Sequence, residues 1–313
     1  MNTQWQQFLL SQSARIKGNV EPGPWIADAS HLGLVEVSGS KSSEFLQGQL
    51  TCDIKQLSEN TASLGACCNP KGRMIANFYI WPNQEKFYIA LPQSMVTTTI
   101  EHLKKYAIFS KVALTSLSDD IILLQYFGNP SYIDTALVSL IKIPNGSHFI
   151  LGNIDAIIDC WNESIDKATP IDAFACRAFA IKNGLVFIYP TTSELFTPQM
   201  INLQKLGGVS FKKGCYVGQE IIARTEHLGQ LKRHLYQLHL DLDTEPQPGS
   251  VLKNAAHEAV GTIVESAPAN EGGFDLLAVI QSQMLEKDQA IYYEGRRACH
   301  QTLLAGVPAN KYE

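Results

Sequence analysis

Two different periods of apolar and polar residues occur along the chain. Positions 96–106 carry apolar residues at helical spacing, with Ile100 and Leu103 on one face, which predicts a helix. Leu238, Leu240 and Leu242 instead alternate with polar residues, which is the period of a half-buried strand. The chain is therefore expected to mix helices with strands over most of its length and to end in strands.

Turn and cap residues place further elements around these two. The run Asn69-Pro70-Lys71-Gly72 predicts the turn of a β-hairpin between two strand-like segments. Ser42 is a suitable N-cap for a helix at 43–50, and Asn183-Gly184 is a typical stop for a helix at 171–182. A fourth helix is predicted at 131–141, and strands are predicted at 34–39, 87–91, 121–127, 259–265, 274–280 and 290–293.

These elements predict an α+β protein in two parts. Residues 1–227 are expected to form a body of mixed and antiparallel sheets with helices, in two sub-lobes that divide near 115–120. Residues 228–313 carry short strands separated by Pro and Gly, which indicates a small β-barrel-like domain. A chain of 313 residues with 45% hydrophobic content can bury cores of this size.

Charge and hydropathy exclude several classes of protein. Lys and Arg number 25 against 30 Asp and Glu, a formal net charge of −5, which argues against a broad basic face for direct nucleic-acid binding. No apolar run is long enough to span a bilayer, and the first residues lack the pattern of a secretory signal. A cytoplasmic protein without a membrane partner is expected.

The cysteines do not form a metal-binding or disulfide pattern. There are seven, and no Cys-x-x-Cys occurs, so neither a disulfide framework nor a bound metal is predicted. Four of them are expected to be buried as small hydrophobic residues: Cys52, Cys160, Cys176 and Cys299.

Cys215 lies in different surroundings from the other cysteines. It is flanked by Gly214 and Gly218, follows Lys213, and precedes a helix-like stretch from Gln219 to Arg224. A cation and a helix N-terminus favour the thiolate of a nearby cysteine. The alternative is a glycine-bounded turn with an ordinary thiol and a surface ion pair between residues 220 and 224. The residues of this run do not by themselves decide between the two hypotheses.

Two other runs are weaker candidates for a functional site. Asp28-Ala29-Ser30-His31 brings three triad-type residues together, but hydrolase triads assemble from distant segments, so a turn before the next strand is the favoured interpretation. Lys71-Gly72-Arg73 is able to meet an anion, although a solvated turn is favoured. No phosphate-binding or dinucleotide-binding glycine motif occurs.

The run from Lys213 to Glu220 resembles the signature of the YgfZ-type folate-binding proteins, relatives of the glycine-cleavage T-protein, an aminomethyltransferase. Other segments of the same superfamily are similar to stretches 28–31, 45–53, 69–74 and 198–203 here. The signature cysteine corresponds to Cys215. The other matching residues are Lys213, Gly214, Tyr216, Gly218, Gln219 and Glu220, with Arg224 just beyond.

The resemblance implies a T-protein-like folate-binding body followed by a β-barrel-like domain. It implies tetrahydrofolate, or a related folate, as the cofactor in a central cavity. It also implies a role in assembling or repairing iron–sulfur clusters in a subset of enzymes, with those enzymes or assembly factors as partners. Because radical enzymes that modify tRNA belong to that subset, an effect on tRNA methylthiolation would be indirect.

Two departures from the superfamily pattern affect these expectations. T-proteins carry a carboxylate for one-carbon transfer where this chain has the stretch ending in Asn77, so no acid or base is evident there. Tetrahydrofolate-dependent one-carbon transfer is therefore the alternative function rather than the favoured one. Tryptophans that contact folate in some relatives correspond by spacing to Leu32 and Cys176, and Tyr79 and Phe78 are candidate substitutes.

Overall fold

The computed structural model describes residues 2–19, 22–108, 110–286 and 289–303. Within these residues the helices are α1 (Thr3–Gln12), α2 (Ser42–Gln49), α3 (Val96–Ala107), α4 (Ile154–Ser164), α5 (Ala173–Lys182), α6 (Gln219–His227) and α7 (Ser282–Glu286).

The strands are β1 (Trp25–Asp28), β2 (Leu32–Ser38), β3 (Ser63–Cys68), β4 (Met74–Asn83), β5 (Lys86–Pro92), β6 (Ala113–Ser116), β7 (Ile122–Phe127), β8 (Ser139–Lys142), β9 (His148–Gly152), β10 (Thr169–Ile171), β11 (Arg233–Leu240), β12 (Val251–Lys253), β13 (Ala259–Pro268), β14 (Phe274–Gln281), β15 (Tyr292–Tyr293), β16 (Arg296–Arg297) and β17 (Cys299–Leu303).

The first sheet contains the predicted hairpin. Its order is β3-β4-β5-β2-β6, and every neighbouring pair is antiparallel. The turn between β3 and β4 is closed by a hydrogen bond from the Gly72 amide to the Asn69 carbonyl, 2.9 Å long. The Asn69 side chain accepts from the amides of Lys71 and Arg73, which explains why asparagine suits the start of this turn.

The other two sheets differ from the first in strand order and pairing. The second has the order β10-β1-β7-β9-β8, with a parallel pairing only between β1 and β10. The third is the curled, half-barrel sheet of the C-terminal part, in the order β16-β15-β12-β13-β14-β11-β17. Helix α5 packs against β13 and β14, so it joins the tail sheet to the body.

The central core receives side chains from all three sheets. Leu64 and Tyr79 come from the first sheet, Phe149 from the second, and Leu235 and Val279 from the third, and all are buried. Burial of apolar area at a shared centre is the main force holding such layers together. The predicted division after residue 227 stays a prediction, and residues 304–313 of the predicted tail lie outside the described residues.

Most of the predicted elements are confirmed, and four local predictions are wrong. The predicted strands at 34–39, 87–91 and 121–127, the helix at 96–106 and the hairpin are all present. The segment predicted as a helix at 131–141 contains turns and then β8, because asparagine and aspartate side chains bond nearby amides. Asn129 accepts from Ser131 and Asp134 from Ala136, which competes with a helix.

The remaining three corrections concern single residues. Ser42 is the first residue of α2 rather than a cap with a side-chain bond. Ile171 belongs to β10, and α5 starts after Asp172, whose carboxylate accepts from the Ala175 amide as an N-cap. Cys299 is exposed rather than buried, because it lies on β17 at the edge of the third sheet.

Candidate functional site

The signature segment is a loop that ends in α6 and is attached to the body at several points. Residues 210–218 have no regular secondary structure, and α6 follows with Gly218 at its N-cap. The Ser210 amide donates to the Thr51 carbonyl over 2.9 Å, and the Val217 amide donates to the Gly48 carbonyl over 3.3 Å. The loop is thus held along the end of α2 at two points.

Lys213 provides the strongest of these attachments. Its ammonium donates to the carbonyls of Leu50 and Cys52, over 2.8 and 2.7 Å, and only 9% of the residue is exposed. Leu50 is the C-cap of α2, where helix carbonyls lack partners within the helix and attract cations. Burial lowers the pKa of Lys213 to about 8, against the opposing effects of Cys52 and Asp53. From the sequence, this ammonium was expected to stabilise the thiolate of Cys215. In the structure it donates to two backbone carbonyls instead.

Tyr216 is buried in the central core beside Lys213. The Lys213 Nζ lies 5.1 Å from the centre of its ring, within the range of a cation–π contact. Burial raises the pKa of the Tyr216 phenol, so it is a neutral group at physiological pH. Its hydroxyl is buried and has no hydrogen-bond partner among the described residues.

Gly218 and Gly72 bring the signature segment and the hairpin turn into direct contact. Both adopt positive φ, +82° and +69° respectively. A Cβ on Gly218 would lie 2.6 Å from the Asn69 carbonyl oxygen, and a Cβ on Gly72 would lie 3.2 Å from the side chain of Ile221. Only glycine satisfies both the backbone angle and the space at position 218. This contact explains why a glycine in the signature accompanies a glycine in the hairpin.

The predicted helix and ion pair after the cysteine are present. Arg224 Nη2 is 2.9 Å from Glu220 Oε1, one turn away on α6. The two side chains are 63% and 81% exposed, and such surface pairs contribute roughly 0–1 kcal/mol to stability. The first helical residue, Gln219, is half-buried.

Cys215 is thereby presented to solvent at the tip of an anchored loop. It is exposed, and so is Gly214, whose Cβ would meet no atom within 4 Å. Cys52, Cys67, Cys68, Cys160 and Cys176 are all buried. An accessible thiol is able to act as a nucleophile, a metal ligand or a redox group, whereas a buried one is inert.

A surface cavity adjoins the start of the signature loop. It has a volume of about 460 Å³ and lies between the chain segments 53–63 and 207–212. Asp53, Ser210, Phe211 and Lys212 contribute polar, aromatic and charged side chains to its wall. Its size is that of a small-molecule site. Cys215 is not among the residues that line it.

The two aromatic residues proposed for the ligand face opposite sides of the first sheet. Tyr79 lies in the central core, with its ring 5.2 Å from that of Phe149 and 5.7 Å from that of Phe187. Phe78 belongs to a separate buried cluster with Val35 and Cys67. Because successive strand side chains point to opposite faces, only Tyr79 shares a core with Tyr216.

Asn77, which the superfamily resemblance matches to a carboxylate of T-proteins, has a structural role here. Its amide nitrogen donates to the Val186 carbonyl over 2.8 Å, and its amide oxygen accepts from the Ile188 amide over 2.7 Å. An ionised carboxylate has no donor for the first of these bonds. The substitution therefore fixes the 186–188 segment against β4 and leaves no acid or base there.

The Asp28–His31 run is a structural turn, as the sequence indicated. Asp28 accepts from the Ser30 hydroxyl over 2.6 Å and from the Trp5 indole over 2.9 Å. His31 is half-buried, and desolvation of its ring lowers its pKa to about 4, so it is neutral. Leu32 and Cys176, which were matched only by spacing to tryptophans of some relatives, are both buried.

Sequence reasoning missed the buried polar residues that support the loop. The Thr51 hydroxyl donates to the Gly208 carbonyl over 2.6 Å and accepts from the Ala66 amide over 2.9 Å. Gln199 donates to the Ile222 carbonyl over 2.7 Å and holds α6 in place. Both lie in stretches that resemble the superfamily, but hydrogen bonds between residues 15 or more positions apart have no local pattern.

No cluster of three or more His, Cys, Asp and Glu side chains in the described part of the chain is arranged to hold a metal ion. None of the helices described there has the length and apolar character needed to cross a membrane.

Comparison with known proteins assigns the fold. Residues 11–132 match the model of the GCVT N-terminal domain family. The solved structure of glycine cleavage system aminomethyltransferase T from Bartonella henselae superposes with a TM-score of 0.72 over 96% of this chain and 89% of that one, at 14% identity. The molecule therefore has the fold of an aminomethyltransferase T-protein, which confirms the α+β class predicted from the sequence.

Curated relatives assign the family within that fold. The tRNA-modifying protein YgfZ of Enterobacter sp. strain 638 is 32% identical over 277 residues, covering 82% of this chain and 84% of that protein. The protein of the same name from Blochmanniella pennsylvanica is 33% identical over 276 residues, covering 82% and 81%. The chain belongs to the YgfZ family, as the signature run indicated.

We expect the glycine contact to be essential for the placement of the loop. Gly218→Ala should lower the free energy of unfolding by about 1–2 kcal/mol for the positive φ alone, and by more because its Cβ meets the Asn69 carbonyl. Gly214→Ala, in the same loop but in open space, is the matched control and should leave stability unchanged. Urea denaturation of both variants measures this, and equal stabilities would contradict the contact.

Proposed function

We propose that this protein is a cytoplasmic, folate-binding accessory factor for iron–sulfur enzymes, and that it supports tRNA modification, methylthiolation in particular, through them. Cys215 is its functional thiol. Tetrahydrofolate, or a related folate, is its ligand, and iron–sulfur client enzymes or assembly factors are its partners. Relatives carry the name tRNA-modifying protein, and the net charge of −5 favours an indirect effect on tRNA.

The exposure of Cys215 is the observation that carries the proposal. Lys213 bonds to the body, Tyr216 packs in its core and Gly218 contacts the hairpin turn. Cys215, by contrast, is exposed, so burial does not explain its place in the signature. A thiol held on a rigid loop at the surface suits a transient bond to sulfur or iron of a client protein.

The buried polar atoms beside the signature segment suit a folate ring. Tyr216 Oη, Gln199 Oε1 and Thr197 Oγ1 are buried and lack a hydrogen-bond partner among the described residues. Buried polar atoms in proteins are nearly always hydrogen-bonded, so these three call for a polar group. The pterin ring of a folate carries several donors and acceptors, and Tyr79 adds an aromatic surface in the same core. These residues would hold the ring, and the bound folate would supply one-carbon chemistry.

One-carbon transfer by the protein itself is the alternative function, and one contact counts against it. Asn77 is committed through both atoms of its amide to the 186–188 segment and offers no proton acceptor. Formation of methylene-tetrahydrofolate from a methylamine donor by the purified protein would favour the alternative.

Loss of the thiol should abolish function without loss of the fold. We expect Cys215→Ser to fail to restore tRNA methylthiolation in a strain that lacks its own YgfZ, at unchanged melting temperature, because the side chain has no packing role. Cys299→Ser, at the other exposed cysteine, is the matched control and should restore it. Nucleoside mass spectrometry of bulk tRNA reads the outcome, and full restoration by Cys215→Ser would overturn the role of the thiol.

The folate site should depend on the Tyr216 hydroxyl. Tyr216→Phe should weaken tetrahydrofolate binding about two- to tenfold, the value of one hydrogen bond, while leaving the ligand-free protein equally stable or more stable. Tyr132→Phe, in the peripheral core beside Lys167, should bind as the wild type does. Calorimetric titration under anaerobic conditions measures both affinities. Unchanged binding by Tyr216→Phe would exclude this residue from the site.

A further inference from the structure

The third sheet carries a second exposed thiol with two chemically suited neighbours. Cys299 on β17 pairs directly with His239 on β11, and His239 pairs directly with Asp275 on β14. Residues that are directly opposite in neighbouring antiparallel strands point to the same face, with Cβ atoms about 5 Å apart. The three side chains therefore form one row, in the order thiol, imidazole, carboxylate.

The histidine in this row is oriented by the carboxylate. His239 Nδ1 lies 3.0 Å from Asp275 Oδ1, and the two side chains are only 24% and 19% exposed. With the Nδ1 proton directed to the carboxylate, the Nε2 of a neutral imidazole is left as a proton acceptor. This is the arrangement in which a histidine activates a neighbouring nucleophile.

A cavity of about 340 Å³ opens over the row. Cys299, His239 and Asp275 all line it, together with Lys182 at the end of α5 and Glu271 in the turn between β13 and β14. The cavity is within the size range of small-molecule sites. It lies on the α5 side of the third sheet and shares no lining residue with the cavity beside the signature loop.

We infer that this row is a thiol–disulfide exchange site that accepts small disulfides bearing carboxylates, such as glutathione disulfide. His239 Nε2 takes the proton of the Cys299 thiol, and the sulfur attacks one sulfur of the disulfide. A new S–S bond joins Cys299 to that half, the original S–S bond breaks, and the departing thiolate receives the proton from His239. Cys299 is oxidised to a mixed disulfide and the other half is reduced to a thiol, so the exchange needs no further reagent.

The charges at the cavity favour this class of reagent. Lys182 supplies a cation for a carboxylate, and Glu271 supplies an anion for an ammonium, so a zwitterionic thiol peptide finds a partner for each charge. Asp275 is a positioning residue, because it acts on the sulfur through His239. The site is additional to the proposed function of Cys215 and does not depend on it.

The test compares two thiols in one molecule. Full-length protein is treated with glutathione disulfide, and peptide mass spectrometry follows mixed-disulfide formation at Cys299 and Cys215, the two exposed cysteines. We expect Cys299 to react about tenfold faster or more, and His239→Gln to remove that advantage while leaving the Cys215 rate unchanged. His234→Gln, on the same strand, is the matched control and should react as the wild type does.

Two further variants separate catalysis from structure. Asp275→Asn should raise the pH at which Cys299 reaches half its maximal rate, because the imidazolium–thiolate pair then lacks the carboxylate beside His239. The other charged side chains at the cavity are Lys182 and Glu271. Lys182→Gln should slow the reaction with glutathione disulfide several-fold but not with the uncharged 2-hydroxyethyl disulfide. Equal rates at the two cysteines, or an unchanged Cys299 rate in a folded His239→Gln variant, would overturn the inference.

Discussion

A buried ammonium ion holds the signature segment on the rest of the molecule. Lys213 donates to two carbonyls at the end of α2, where a helix leaves its last acceptors unsatisfied. A buried lysine is costly unless its charge is matched, and here two carbonyl oxygens and the ring of Tyr216 match it. The exposed Cys215 lies two residues after this attachment.

The glycine contact completes the attachment from the other side. Gly218 rests on the hairpin turn between β3 and β4, and α6 begins immediately after it. The ammonium of Lys213 holds one end of the segment and the close contact of Gly218 holds the other. The residues between them therefore have little conformational freedom. The thiol of Cys215 lies between these two attachments and is exposed to solvent. Such preorganisation suits a group that must meet a partner in a defined geometry.

The sequence predicted well where local pattern or a family signature carried the information. The hairpin at Asn69–Gly72 and the helix after Gly218 were evident from short runs, and the signature run indicated the family. It failed where distant residues decide the outcome. Lys213 has a cysteine two positions away, and no local rule directs its ammonium to Leu50, more than 160 residues earlier. The pairing of Cys299 with His239 likewise exists only after β17 joins the sheet beside β11, and an isolated cysteine near the chain end resembles any small hydrophobic residue.

Hydrogen exchange of the Ser210 and Val217 amides in Lys213→Met tests the central attachment most directly. Both amides bond to residues around the end of α2. Lys213→Met removes two charge-assisted hydrogen bonds, each of which contributes about 1.5–3 kcal/mol to stability. Exchange of the Ser210 and Val217 amides should therefore become at least tenfold faster, whereas the amides of β13 and β14 should keep their protection. Lys212→Met, at the exposed neighbouring lysine, should exchange as the wild type does. Unchanged protection of the Ser210 and Val217 amides in Lys213→Met would show that the Lys213 hydrogen bonds do not hold the segment in place.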